Sequence, residues 1–65
     1  MNTQKEILTF NDATEFLQVK ESKLRSMIFR KEIPFYKIGA LIRFDKKDLI
    51  DYLEKSKVMP SNEGR

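Results

Sequence analysis

The chain contains no cysteine, no histidine and no tryptophan. Without cysteine there is no disulfide framework and no thiolate metal site. Without histidine the commonest general base and the commonest zinc ligand are both missing. The remaining Asp and Glu are scattered over amphipathic segments, where carboxylates read as solvated faces rather than a catalytic constellation. Neither an enzyme nor a protein with a cofactor, a metal or a small-molecule substrate is expected. Long apolar runs are missing too: nothing approaches the roughly 20 residues of a membrane span, and the opening MNTQKEILTF lacks the apolar core of a signal peptide. A cytoplasmic protein without membrane contact is expected. At 65 residues the chain makes one small domain with a limited core and marginal stability.

Positive charge is present in excess and unevenly placed. The net charge is +3. Residues 18–47 hold nine basic side chains (Lys20, Lys23, Arg25, Arg30, Lys31, Lys37, Arg43, Lys46 and Lys47) against three acids (Glu21, Glu32 and Asp45), a balance of +6. The rest of the chain holds four basic residues and seven acids, a balance of −3. A solubilising surface would intersperse the two signs, whereas this polarity points to a polyanion partner.

The hydrophobic spacing predicts three short helices. Residues 1–6 are polar and read as a flexible N-terminus, followed by Ile7-Leu8-Thr9 as a short strand or extended lead-in. Thr9 is placed to cap a first helix, with Asp12 reaching back as in a capping box, and Ala13, Phe16 and Leu17 form its apolar stripe. Gln18-Val19-Lys20 is a tight turn, with Val19 plugging the core. A second helix is predicted over 21–31, with Leu24, Met27 and Ile28 facing inward. The opposite side carries Ser22, Ser26 and Phe29, flanked by Arg25 on one side and by Lys23 and Arg30 on the other. Pro34 ends the helical pattern by forcing Ile33 to an extended conformation.

The period then changes to two. PFYKIGALIRF reads as a hairpin with Gly39-Ala40 as a type II′ turn. The alternation puts Tyr36, Ile38, Ile42 and Phe44 on one face, toward the core, and Phe35, Lys37, Leu41 and Arg43 on a basic outer face. Asp45 then caps a third helix, with Asp48 as its box partner and Leu49, Tyr52 and Leu53 as its stripe. Residues 57–65 form a polar tail containing Pro60 and Gly64, expected to be disordered.

Two short helices joined by a three-residue turn form a helix-turn-helix when the second is displayed rather than buried on both sides. Such a helix enters the DNA major groove, its side chains meeting base edges and its basic neighbours meeting phosphates. Ser22 and Ser26 are short donors that permit close approach. Arg25 suits base or phosphate contact, although an ion pair with Glu21, one turn earlier, would also account for it. Lys23 and Arg30 suit phosphates, and Lys37 and Arg43 give the hairpin a wing's charge. Lys46 and Lys47 oppose the dipole of the third helix, which a position facing phosphates would explain. Phe29 has three readings: packing on the hairpin, which is preferred, contact with a thymine methyl, or contact with a protein neighbour.

The segment LTFNDATEFLQVKESKLRSMIFRKEIPFYKIGALIRFDKKDLIDYLEK resembles the excisionase-type DNA-binding domain, a winged helix-turn-helix module related to the MerR type. The resemblance is carried by LT, A..EFL..V, the stretch closing on IP, YKIG, IRF and DL..YLE, in order from Leu8 to Glu54. It implies an α+β fold over residues 7–56, with three short helices and a two-stranded hairpin wing. It further implies a bacterial, phage or other mobile-element protein, nucleoid-associated in the cytoplasm, that binds double-stranded DNA. Such proteins serve as recombination directionality factors or as small transcriptional regulators. An integrase (a recombinase) or further copies of the chain are the implied protein partners, with Leu41 and Phe35 on the outer hairpin face as candidate contacts. By position, the groove-facing residues fall on Ser22, Lys23, Arg25 and Ser26, and the wing contacts on Lys37 and Arg43. The chain departs from the pattern at Gln18 and Glu32, where Gly is common. It departs again at Lys20, where Ser or Thr is usual and a phosphate contact is gained instead, and at Leu41, where Arg is usual. A module of this fold kept for protein interaction, without DNA binding, is the remaining alternative.

Overall fold

The computed structural model describes residues 5–60. The expected loose N-terminus and disordered tail fall largely outside that range. The elements run β1 (Ile7–Thr9), α1 (Phe10–Leu17), α2 (Glu21–Phe29), β2 (Tyr36–Ile38), β3 (Leu41–Asp45) and α3 (Lys46–Ser56). This is a small α+β winged helix-turn-helix. The Ile7-Leu8-Thr9 segment is a true strand. It pairs antiparallel with β3, so the hairpin becomes a three-stranded sheet of order β1-β3-β2.

Each helix starts where its capping chemistry allows. The Thr9 hydroxyl accepts from the Asp12 amide at 3.0 Å, and the Asp12 carboxylate accepts from the Thr9 amide at 3.2 Å, which completes the expected capping box. At α3, the Asp45 carboxylate accepts from the Lys47 amide at 3.1 Å. No reciprocal bond from Asp48 forms: Asp45 is also the last residue of β3, opposite Ile7. α2 has no side-chain cap, because Lys20 occupies the N-cap and carries no acceptor.

The C-termini of α1 and α2 share a backbone solution. Gln18 and Lys31 both adopt left-handed backbone, each with φ 57°. After α1, the Val19 amide donates to the Thr14 carbonyl at 3.1 Å. After α2, the Lys31 amide donates to Ile28 at 3.0 Å and the Glu32 amide to Met27 at 2.8 Å, which is a Schellman motif. The predicted second helix, 21–31, therefore stops two residues early. The left-handed position where glycine is natural is Lys31, not Glu32. An L-residue there costs roughly 1–2 kcal/mol, and this chain bears that cost twice.

The core consists of Ala13, Leu24, Met27, Ile33, Phe44 and Leu49. Leu8, Phe10, Phe16, Leu17, Val19, Ile28, Phe35, Ile42 and Tyr52 pack around it half-buried. The inward stripes of the three helices supply most of these side chains, as the spacing requires. α1 lies centrally against β1, β3, α2 and α3, whereas α2 rests chiefly on α1.

The hairpin faces differ from those predicted. A two-residue turn places Ile38 opposite Leu41, Lys37 opposite Ile42 and Tyr36 opposite Arg43. Directly opposed residues share a face, so parity reverses across Gly39-Ala40. The outer face therefore carries Tyr36, Ile38, Leu41 and Arg43, while the core-side face carries Phe44, Ile42 and Lys37. Tyr36 is consequently exposed rather than core, and Phe35 is half-buried against the core instead of joining Leu41 outside. Gly39 has φ +61°, while Ala40 is not in the left-handed region, the combination a type II′ turn demands.

On the same outer face, the Lys5 ammonium lies 5.4 Å from the Tyr36 ring centroid and 3.8 Å from Asp45 Oδ2. A hydrogen bond to Tyr36, then the charge it carries when ionised, then Asp45 and Asp48, hold Lys5 above the ordinary lysine value.

Candidate nucleic-acid interface

α2 is displayed because it packs chiefly on one neighbour. Its buried residues are Leu24 and Met27, with Ile28 half-buried beside them. Glu21, Ser22, Lys23, Arg25, Phe29 and Arg30 are exposed, and Ser26 is half-buried. An α-helix with its side chains is about 10–12 Å across, which the roughly 12 Å wide major groove of B-DNA admits.

Arg25 is the most constrained cation on this face. Its guanidinium sits 4.9 Å from the centroid of the Phe10 ring and 3.6 Å from Glu21 Oε1. The ion pair anticipated from the sequence thus forms, at an exposed site where it is weak and screened by salt. The Phe10 contact was not anticipated, although Phe10 extends the Ala13–Leu17 stripe back by one turn, which is the signal that could have revealed it. Phe10 follows Thr9, and Thr9 is the cross-strand partner of Arg43. Arg25 of the helix and Arg43 of the wing thus both border the stretch Thr9-Phe10.

The other predicted residues divide by position. Lys20 and Lys23 are exposed at the N-terminal end of α2. Arg30 is exposed at its C-cap and pairs with Glu32 at 3.8 Å. Arg43 is half-buried, and its Nη1 donates to the Ile42 carbonyl at 2.8 Å. Lys37 is exposed on the opposite side of the sheet from Arg43, so the two do not form the single basic wing face predicted. Lys46 is drawn into the fold, with Nζ 3.6 Å from Glu6 Oε1 and 5.7 Å from the Phe16 ring centroid, while Lys47 stays exposed. Phe29 does not pack on the hairpin as preferred; it is 86% exposed.

Away from the basic helix, an open groove of about 450 Å³ is lined by Glu6, Leu8, Asp12, Glu15, Phe16 and Lys46. Three carboxylates give it the wrong sign for a polyanion, so the basic surface is a displayed face and not a pocket. Among the described residues no group of three or more Asp or Glu side chains is arranged to hold a metal ion, and no helix is long and apolar enough to cross a membrane.

The family model described as a helix-turn-helix domain matches residues 7–57, and the chain belongs to that family. The protein is a helix-turn-helix DNA-binding protein. No curated protein and no solved structure matches the chain significantly.

Proposed function

We propose that the chain is a sequence-specific binder of double-stranded DNA of the excisionase type, a recombination directionality factor. In this reading α2 enters the major groove and the β2–β3 hairpin lies on the flanking backbone or minor groove. Ser22, Arg25 and Ser26 face base edges, Lys20, Lys23 and Arg30 meet phosphates, and Arg43 supplies the charge of the docked wing face, with Lys37 on the hairpin's other face. Residues 7–56 act as one unit, in the cytoplasm of a bacterial or phage-bearing cell. The observation that carries the reading is Arg25, held over Phe10 on the displayed side of a helix whose other face is buried. The excisionase assignment, with its MerR-type kinship, draws on the ordered resemblance from Leu8 to Glu54.

A single module of this size has a small footprint, so repeated sites, further copies or an integrase partner are expected to supply useful affinity. Selection of bound duplexes from a random pool tests the DNA reading: recovery of a defined motif supports it, and failure to enrich any duplex at low salt points instead to an interaction module. A small transcriptional regulator is the second reading, favoured by the same residues. An excision assay with an integrase encoded beside the gene, run against a promoter reporter, separates the two.

A further inference from the structure

Phe29 is the most exposed aromatic among the described residues, at 86%. It falls on the displayed side of α2. Phe29 comes seven positions after Ser22, so the two lie about 20° apart around the helix axis and about 10.5 Å apart along it. That rise corresponds to about three base steps of 3.4 Å. Arg25 and Ser26 lie between them, one turn before Phe29, and Arg30 adjoins it. The ring is therefore an apolar spot framed by Arg25 and Arg30. A protein-docking surface needs contiguous apolar area, and the other exposed apolar side chains lie on other elements: Ile7, Tyr36, Ile38 and Leu41 on the outer face of the sheet, and Ile50, Leu53, Val58 and Met59 on or after α3. A surface that combines anionic walls with isolated apolar points on its floor suits this arrangement better. The DNA major groove is such a surface, its apolar points being the 5-methyl groups of thymine.

We propose that Phe29 is a specificity-determining residue that packs its ring on the 5-methyl group of a thymine in the major groove, about three base pairs from the pair facing Ser22. The inference rests on α2 entering the groove, as set out above, and adds a base preference to it.

The test uses the whole chain and the duplex recovered by selection from a random pool. Each thymine is replaced in turn by deoxyuridine, which removes only the methyl group, and affinities are measured for the parent and for Phe29→Ala. One position is expected at which uracil weakens the parent about fourfold, the worth of one buried methyl group. Phe29→Ala should bind the thymine duplex about as weakly as the parent binds the uracil one, and should be indifferent to the replacement. Unchanged thermal unfolding of Phe29→Ala shows that the fold is kept. The inference is overturned if Phe29→Ala binds the selected duplex like the parent. Equal sensitivity of both proteins to uracil also overturns it, and either outcome leaves DNA binding through α2 standing. If the parent selects no duplex, the groove-binding reading falls first.

Discussion

The Arg25 guanidinium lies 4.9 Å from the centre of the Phe10 ring, so the first residue of α1 holds the central cation of α2. An aromatic face orients a guanidinium without neutralising it, unlike the carboxylate of Glu21 on its other side. Replacing Phe10 by Leu keeps an apolar side chain against the core and removes the ring. Affinity for the selected duplex should fall by about 0.5–1 kcal/mol, the worth of an exposed cation–π contact, with little change in thermal unfolding. Equal binding by Phe10→Leu and the parent would show that the ring plays no part in positioning Arg25.

Arg25→Ala should cost about 1–3 kcal/mol of specific affinity and relax the preference at one base position. Lys55→Ala is the matched control, since Lys55 pairs with Asp51 on the exposed side of α3 at 3.2 Å and should leave binding unchanged. Lys23→Ala, if it removes a phosphate contact, should lower the slope of log affinity against log salt by about 1 and weaken all duplexes alike. Titrations at several salt concentrations decide all three.

The register puts Arg43 and Lys37 on opposite faces of the wing, so one docked hairpin cannot press both against the same backbone. Arg43 borders Thr9-Phe10, as Arg25 does. Arg43→Ala should therefore weaken binding more than Lys37→Ala, and equal losses would argue that DNA meets the hairpin at its tip.

Gln18→Gly should raise stability by about 1 kcal/mol, because glycine occupies the left-handed region without strain, and raise Tm by about 4–8 °C. Lys31→Gly should stabilise to a similar degree but also lose a cation from the polarised middle of the chain. Pairing thermal melts with binding curves separates the effects: Gln18→Gly should melt higher and bind as before. A lower Tm for Gln18→Gly would contradict the strain assigned to that turn.

Much of this architecture could be read from the sequence, for identifiable reasons. The three helical stripes, the Thr9–Asp12 box, the Asp45 cap and the Gly39-Ala40 turn are local, and local spacing specifies them. The pairing of β1 with β3 joins residues far apart in the chain through only three positions, and no local pattern encodes it. The hairpin faces do not follow straight alternation, because a two-residue turn makes residue 38 face residue 41. The exposure of Phe29 is hidden for another reason: periodicity tells which side of a helix a residue occupies, not whether anything covers that side. The left-handed helix end at Lys31 is not legible because glycine is its usual marker, and the chain uses lysine there.

Among the helices and strands, α2 rests chiefly on α1, and its Leu24 and Met27 reach the shared core. A residue such as Leu24, wholly enclosed in the core, is therefore a mounting bolt for the presented surface as much as a piece of filling. Trimming it should loosen the presented helix and, because Phe44 of the sheet and Leu49 of α3 share that core, lower the melting temperature of the whole domain together with its grip on DNA.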